Sequence, residues 1–158
     1  MKLRQMFAGL LAAASVLAGC EGITTGTEVA NVALQPAENG AYQPARYTLD
    51  PSMNPVAFNF RADFSQSSTE FGRWNSYRAE LQLNGKVVAS RNFNITHPVT
   101  NAQSNDAPPP TGTIHTLFYV DVPSTGEYEL VIKPTKPVEI TVKDPRVDAR
   151  KNVQRPPQ

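Results

Sequence analysis

Residues 56–64 read VAFNFRADF, and their hydrophobicity alternates with a period of two. Val56, Phe58, Phe60, Ala62 and Phe64 fall on one side, and Asn59, Arg61 and Asp63 on the other. Only an extended chain puts every second side chain on one face, so this stretch predicts a strand with one face on a core and one in water. The pattern recurs. In SYRAELQL, Tyr77, Ala79, Leu81 and Leu83 alternate with Arg78, Glu80 and Gln82. In TIHTLFYVDV, Ile114, Thr116, Phe118, Val120 and Val122 share a side. Tyr128, Leu130 and Ile132 form a further strand, then Val138, Ile140 and Val142, with weaker strands expected at Val29–Leu34 and Arg46–Leu49. The prolines sit between these segments, as β structure with turns requires. Seven or eight short strands predict an all-β chain with a single antiparallel β-sandwich, immunoglobulin-like or jelly-roll.

Asn84-Gly85 marks a hairpin. A two-residue loop there pairs Leu81 with Val88 and turns Val87, Ala89, Phe93 and Ile95 onto the wrong face. A three-residue loop, Leu83-Asn84-Gly85, pairs Gln82 with Lys86 and Leu81 with Val87, and gathers the apolar residues on one face. A one-residue slip flips every side chain, so burial selects the bulged three-residue loop, with Arg91 as its one misfit. Pro123-Ser-Thr-Gly126-Glu-Tyr128 resembles the tyrosine corner of immunoglobulin-like domains, a pattern that also occurs in jelly rolls. The resemblance implies that the Tyr128 hydroxyl bonds back to the preceding turn.

The first residues are of another kind. Lys2 and Arg4 precede an apolar run from Met6 to Ala18, broken only by Ser15, and small residues follow. A charged start, an apolar middle and a small-residue end are the parts of a secretory signal, expected here as a signal-peptide helix. The apolar run is shorter than the ~20 residues that span a bilayer. Leu17-Ala18-Gly19-Cys20 resembles the lipobox of bacterial lipoproteins, and Cys20 is the only cysteine in the chain. The resemblance covers about the first twenty residues. It implies cleavage after Gly19, lipidation of Cys20, and attachment to a membrane through that residue. Glu21 departs from the aspartate that holds such proteins in a Gram-negative inner membrane, which implies the outer membrane. The organisation expected is a signal over 1–19, a lipidated tether over 20–27, a sandwich over 28–143 and a charged, flexible tail over 144–158.

Charges nearly cancel in the mature chain, which gives no basis for nucleic-acid binding. With one cysteine no intrachain disulfide can form, so stability rests on the packed core. His97 and His115 are the only histidines, one in a loop and one on a strand, and no metal-ligand spacing surrounds them. No nucleophile motif and no phosphate loop is present, and the reading assigns no catalytic residue, no metal and no cofactor. Asp63 and Glu80 sit at polar positions of two strands expected to be neighbours, where two acids could flank a glycosidic bond. The stretch FGRWNSY offers Phe71, Arg73, Trp74 and Asn75 as candidate ligand-binding residues: an indole to stack a sugar or a peptide, with polar groups beside it. The contrary expectation, favoured by its position between two strong strands, is that Trp74 caps the core. Pro108-Pro109-Pro110 lies in a long polar loop from His97 to Gly112. Lys143, Arg146, Arg150, Lys151 and Arg155 face only Asp144 and Asp148, and suit an anionic lipid or polymer. The function expected is a noncatalytic binding or assembly factor of the cell envelope, its partner an envelope protein or a glycan. A carbohydrate-binding module is the alternative and an envelope hydrolase the remote one.

Overall fold

The computed structural model describes residues 25–99 and 111–157. The lipobox with Cys20 and the run Pro108-Pro109-Pro110 lie outside the described residues. Eight strands follow in order: β1 (Thr27–Ala33), β2 (Ala45–Leu49), β3 (Val56–Phe64), β4 (Trp74–Leu83), β5 (Lys86–Thr96), β6 (Gly112–Val120), β7 (Gly126–Pro134) and β8 (Val142–Lys151). They form two four-stranded antiparallel sheets, one in the order β1-β8-β3-β6 and the other β2-β7-β4-β5. In both sheets the outer pairings are first with last: β1 with β8, β2 with β7, β3 with β6 and β4 with β5. That is a long antiparallel ribbon rolled onto itself, the jelly-roll topology. The expectation of a sandwich holds, and the order chooses jelly roll over immunoglobulin.

The core lies between the sheets. Phe58, Phe60, Val147 and Leu117 from the first sheet meet Tyr47, Tyr77, Leu81, Ile95, Tyr128, Leu130 and Ile132 from the second, each 2% exposed or less. The Tyr47 and Phe58 rings meet edge to face at 5.1 Å between centroids, a favoured aromatic geometry. The Tyr128 hydroxyl donates to the Ser124 carbonyl at 2.6 Å, the bond implied by the corner pattern.

Several expectations need correction. The segment 144–158 is not a flexible tail up to its end: residues through Lys151 belong to β8, an inner strand between β1 and β3. Charge masks the strand in the sequence: Arg146, Asp148 and Arg150 fill the outer phase of a period of two whose inner phase is the buried Val147 and Ala149. Val138 and Ile140 do not start that strand either. They lie in the crossing from one sheet to the other, with Val138 exposed and Ile140 buried.

The hairpin uses the two-residue loop. Leu83 pairs with Lys86 and Gln82 with Val87. Asn84 and Gly85 both have positive φ, 51° and 76°, as the tight hairpin turn that favours Asn-Gly requires. The register shifts one step later, so that Leu81 pairs with Ala89 and Tyr77 with Phe93. Burial does set the faces, but a bulge within β5 rather than a longer loop performs the shift. Arg91, the misfit, reaches the sheet opposite and donates to the Thr116 carbonyl at 3.1 Å.

A second bulge lies in β6. Phe58 pairs with Phe118 but Asn59 pairs with Thr116, so Leu117 is the extra residue. Phe118 and Val120 face the core as expected. Thr116 turns outward, where its hydroxyl donates to Asn59 at 2.8 Å, and His115 turns inward. Asn59, expected in water, is 2% exposed.

Candidate binding site

The FGRW stretch is a turn that locks onto the end of β5. Gly72 adopts φ 74°, a left-handed value that favours glycine. Its amide donates to the His97 carbonyl, and the His97 amide donates back to the Arg73 carbonyl at 2.9 Å. The His97 ring, 3% exposed, is held between Phe64 and Phe71 with centroids 5.0 and 5.2 Å away. Its Nε2 lies 2.7 Å from the Ser65 carbonyl, which satisfies it structurally. Phe71 is therefore partly buried in support of this turn, and Arg73 is exposed.

The chain enters β4 at Trp74, and alternation does the rest. Tyr77 faces the core, so Asn75 also faces in, while Trp74 and Ser76 face out. Trp74 is 44% exposed and does not cap the core. Lys136 places its ammonium 3.6 Å from the centre of the indole and also pairs with Glu139 at 3.1 Å.

Asn75 is 1% exposed and fully used by the fold. Its Nδ2 donates to the Tyr77 hydroxyl at 2.9 Å and to the Ile140 carbonyl at 3.0 Å. Its Oδ1 accepts from the amides of Glu139 and Ile140. It pins the crossing segment between β7 and β8 to β4, and has no group left for a ligand. Glu70 pins the far end of the same crossing, accepting from the Thr141 amide and hydroxyl and from the Ser65 hydroxyl. Desolvation would raise its pKa. The hydrogen bonds from Ser65 and Thr141, with His97 nearby, outweigh that and hold the carboxyl below its ordinary range.

Beside Trp74 lies a polar strip on the outer face of the second sheet. Cross-strand partners on β4 and β5 are Trp74 with Thr96, Ser76 with Asn94, Arg78 with Asn92, and Glu80 with Ser90. Arg78 donates to Glu80 at 2.7 Å and reaches Asn92 and Ser90 at 3.4 and 3.3 Å. From Trp74 to Glu80 the strip runs about 20 Å at the usual rise per strand residue. An exposed apolar ring, then amides, hydroxyls and a fixed guanidinium, can stack one ring of a ligand and hydrogen-bond the rest. Of the four candidate residues, the structure leaves Trp74 and Arg73 exposed and withdraws Asn75. The residues not anticipated are Lys136, Ser76, Arg78, Asn92 and Asn94. Extending the alternation of β4 back from Tyr77 by three residues would have found the strip.

Asp63 and Glu80 do not meet. Asp63 is on β3 and Glu80 on β4, in different sheets, and each points away from the core between them. No glycosidic bond can lie between them. His97 and His115 belong to the turn and to β6, and no group of three or more His, Cys, Asp or Glu residues fit to hold a metal occurs among the described residues. Burial, with Arg91 near it, lowers the His115 pKa. No known protein family, curated protein or solved structure matches the chain.

Proposed function

We propose that this chain is an outer-membrane lipoprotein whose noncatalytic β-sandwich binds a carbohydrate of the cell envelope through the outer face of β4 and β5. The anchor is Cys20, by its resemblance to a lipobox, and the domain faces the periplasm. The observation that carries the binding reading is Trp74, exposed at the end of a strip of amides and hydroxyls. A large exposed ring gains little until something stacks on it, and a neutral sugar needs both an apolar face and many polar groups. A protein partner docking on the same face is the second reading. Arg78 favours it, because a guanidinium fixed by Glu80 suits the centre of a protein interface.

Both parts are open to test. Cys20→Ser should abolish incorporation of labelled fatty acid, and unchanged labelling would remove the anchor. A lipid-free chain starting at Glu21 keeps every described strand and the whole core. It should bind members of a panel of envelope glycans, and Trp74→Ala should weaken that binding at least tenfold without loss of the β-rich circular dichroism spectrum. Binding of intact envelope protein with no glycan retained would favour the second reading. Glycan binding indifferent to Trp74→Ala would refute the face.

A further inference from the structure

The first sheet also has an outer face, and its side chains fall in rows across the strands. One row is Ala33, Arg146, Arg61 and Ile114, from β1, β8, β3 and β6. The next is Asn31, Asp148, Asn59 and Thr116. The first row opposes two arginines directly, a like-charge pairing that destabilises a sheet when nothing neutralises it. Its other two members, Ala33 and Ile114, carry no charge.

The second row supplies one carboxylate, and that carboxylate is already shared. Asp148 is fully buried although it belongs to an outer face. Its Oδ1 accepts from Arg61 Nε at 2.8 Å, while its Oδ2 accepts from Asn59 at 3.3 Å and lies 3.9 Å from Arg150. Arg150 is held elsewhere, by the carbonyls of Thr25 and Gly26 at 3.0 and 2.8 Å. Of the other acids on these strands, Asp63 sits opposite Lys143 and Glu28 opposite Arg150, and Asp144, two residues before Arg146, offers it a backbone carbonyl.

Arg61 thus spends only Nε. Its Nη1 and Nη2 donate no hydrogen bond among the described residues. Arg146 makes one long bond of 3.4 Å to the Asp144 carbonyl. Two arginines paired directly across neighbouring strands, with unspent N–H donors and one of them oriented by a buried carboxylate, supply what a bidentate oxyanion contact needs. We propose that Arg61 and Arg146 form an anion site that takes a phosphate group, with Asp148 as the residue that positions Arg61. The site is on the opposite side of the sandwich from Trp74 and does not depend on the carbohydrate reading. The phosphate has two possible sources, an anionic lipid headgroup or a soluble phosphorylated compound.

The lipid-free chain starting at Glu21 separates this from the anchor. Inorganic phosphate added at constant ionic strength should shift the Nε–Hε resonances of Arg61 and Arg146 saturably, and chloride should not. Arg146→Gln, which removes only the long bond to Asp144, should weaken phosphate binding about tenfold, as loss of one charge-assisted hydrogen bond does. Arg61→Gln should do the same if its melt shows a folded domain. Arg46→Gln, on the other sheet, should change nothing. Vesicles of phosphatidylcholine with phosphatidylglycerol should retain the chain through the same two arginines if the source is a headgroup. Phosphate binding without vesicle binding assigns the site to a soluble phosphate. Absence of a saturable shift, or an equal shift at Arg46, overturns the proposal.

Discussion

Neighbouring residues at the start of β4 should separate folding from binding, and Asn75→Ala is the sharper of the two changes. Asn75 makes four hydrogen bonds from a position 1% exposed. Its removal leaves the buried amide and carbonyl of Ile140 without partners; the Glu139 amide is near enough to solvent to recover one. An unsatisfied buried group costs about 1–3 kcal/mol, and water entering the space offsets part of that. The sum is about 2–4 kcal/mol, which lowers the melting temperature of a domain this size by about 10 °C. Trp74→Ala, one residue away, loses a cation–π contact of about 0.5–1 kcal/mol and the burial of the covered part of the ring, so its cost is about 1–2 kcal/mol. Thermal melts of the lipid-free chain and both variants check this. If Trp74→Ala costs as much as Asn75→Ala, the indole supports the fold and the division of labour is wrong. If Asn75→Ala melts within a degree of the parent, the crossing segment is not held by this side chain.

Phe60→Ala removes a ring 0% exposed and in contact with Phe93 at 5.4 Å between centroids; denaturant titration should show a loss of about 3–5 kcal/mol. Tyr128→Phe deletes only the corner bond to Ser124 and should cost about 1–2 kcal/mol in the same assay, with no change in the far-ultraviolet spectrum. Glu70 has a folded pKa held below its ordinary range, so its contribution to stability is complete at neutral pH and is lost as pH falls through that lowered value. Melts from neutral to acid pH should show Glu70→Gln flattening part of the acid decline; identical pH profiles for parent and variant would refute the assignment.

Most strands were legible because apolar residues mark the inner phase of a period of two, as in β3, β4 and β7. β8 was not, for a physical reason. Its inward residues are Val147 and the small Ala149, while its outward residues are charged, so the amplitude of hydrophobicity is low and the charges dominate the reading. Asp148 neutralises part of that charge, pairing with Arg61 on β3 and lying 3.9 Å from Arg150 on its own strand. The signal of that neutralisation is long-range, between residues 61 and 148, and no local pattern carries it.

The proposed binding face shows the same limit from the other side. In FGRW, Gly72 and the polar residues around it break the apolar pattern, so the strand is not evident there from hydrophobicity. Yet phase runs backward through a strand as well as forward. Once Tyr77 is inward, Asn75 must be inward and Trp74 outward, whatever their hydrophobicity, because the pleat allows nothing else. The backbone thus buries an amide and exposes an indole, against the transfer preference of both side chains. The fold compensates the amide with four hydrogen bonds. It leaves the indole 44% exposed, with the Lys136 ammonium over its ring. A fully satisfied polar group beside a half-exposed apolar one is the asymmetry on which the proposed carbohydrate site at Trp74 rests.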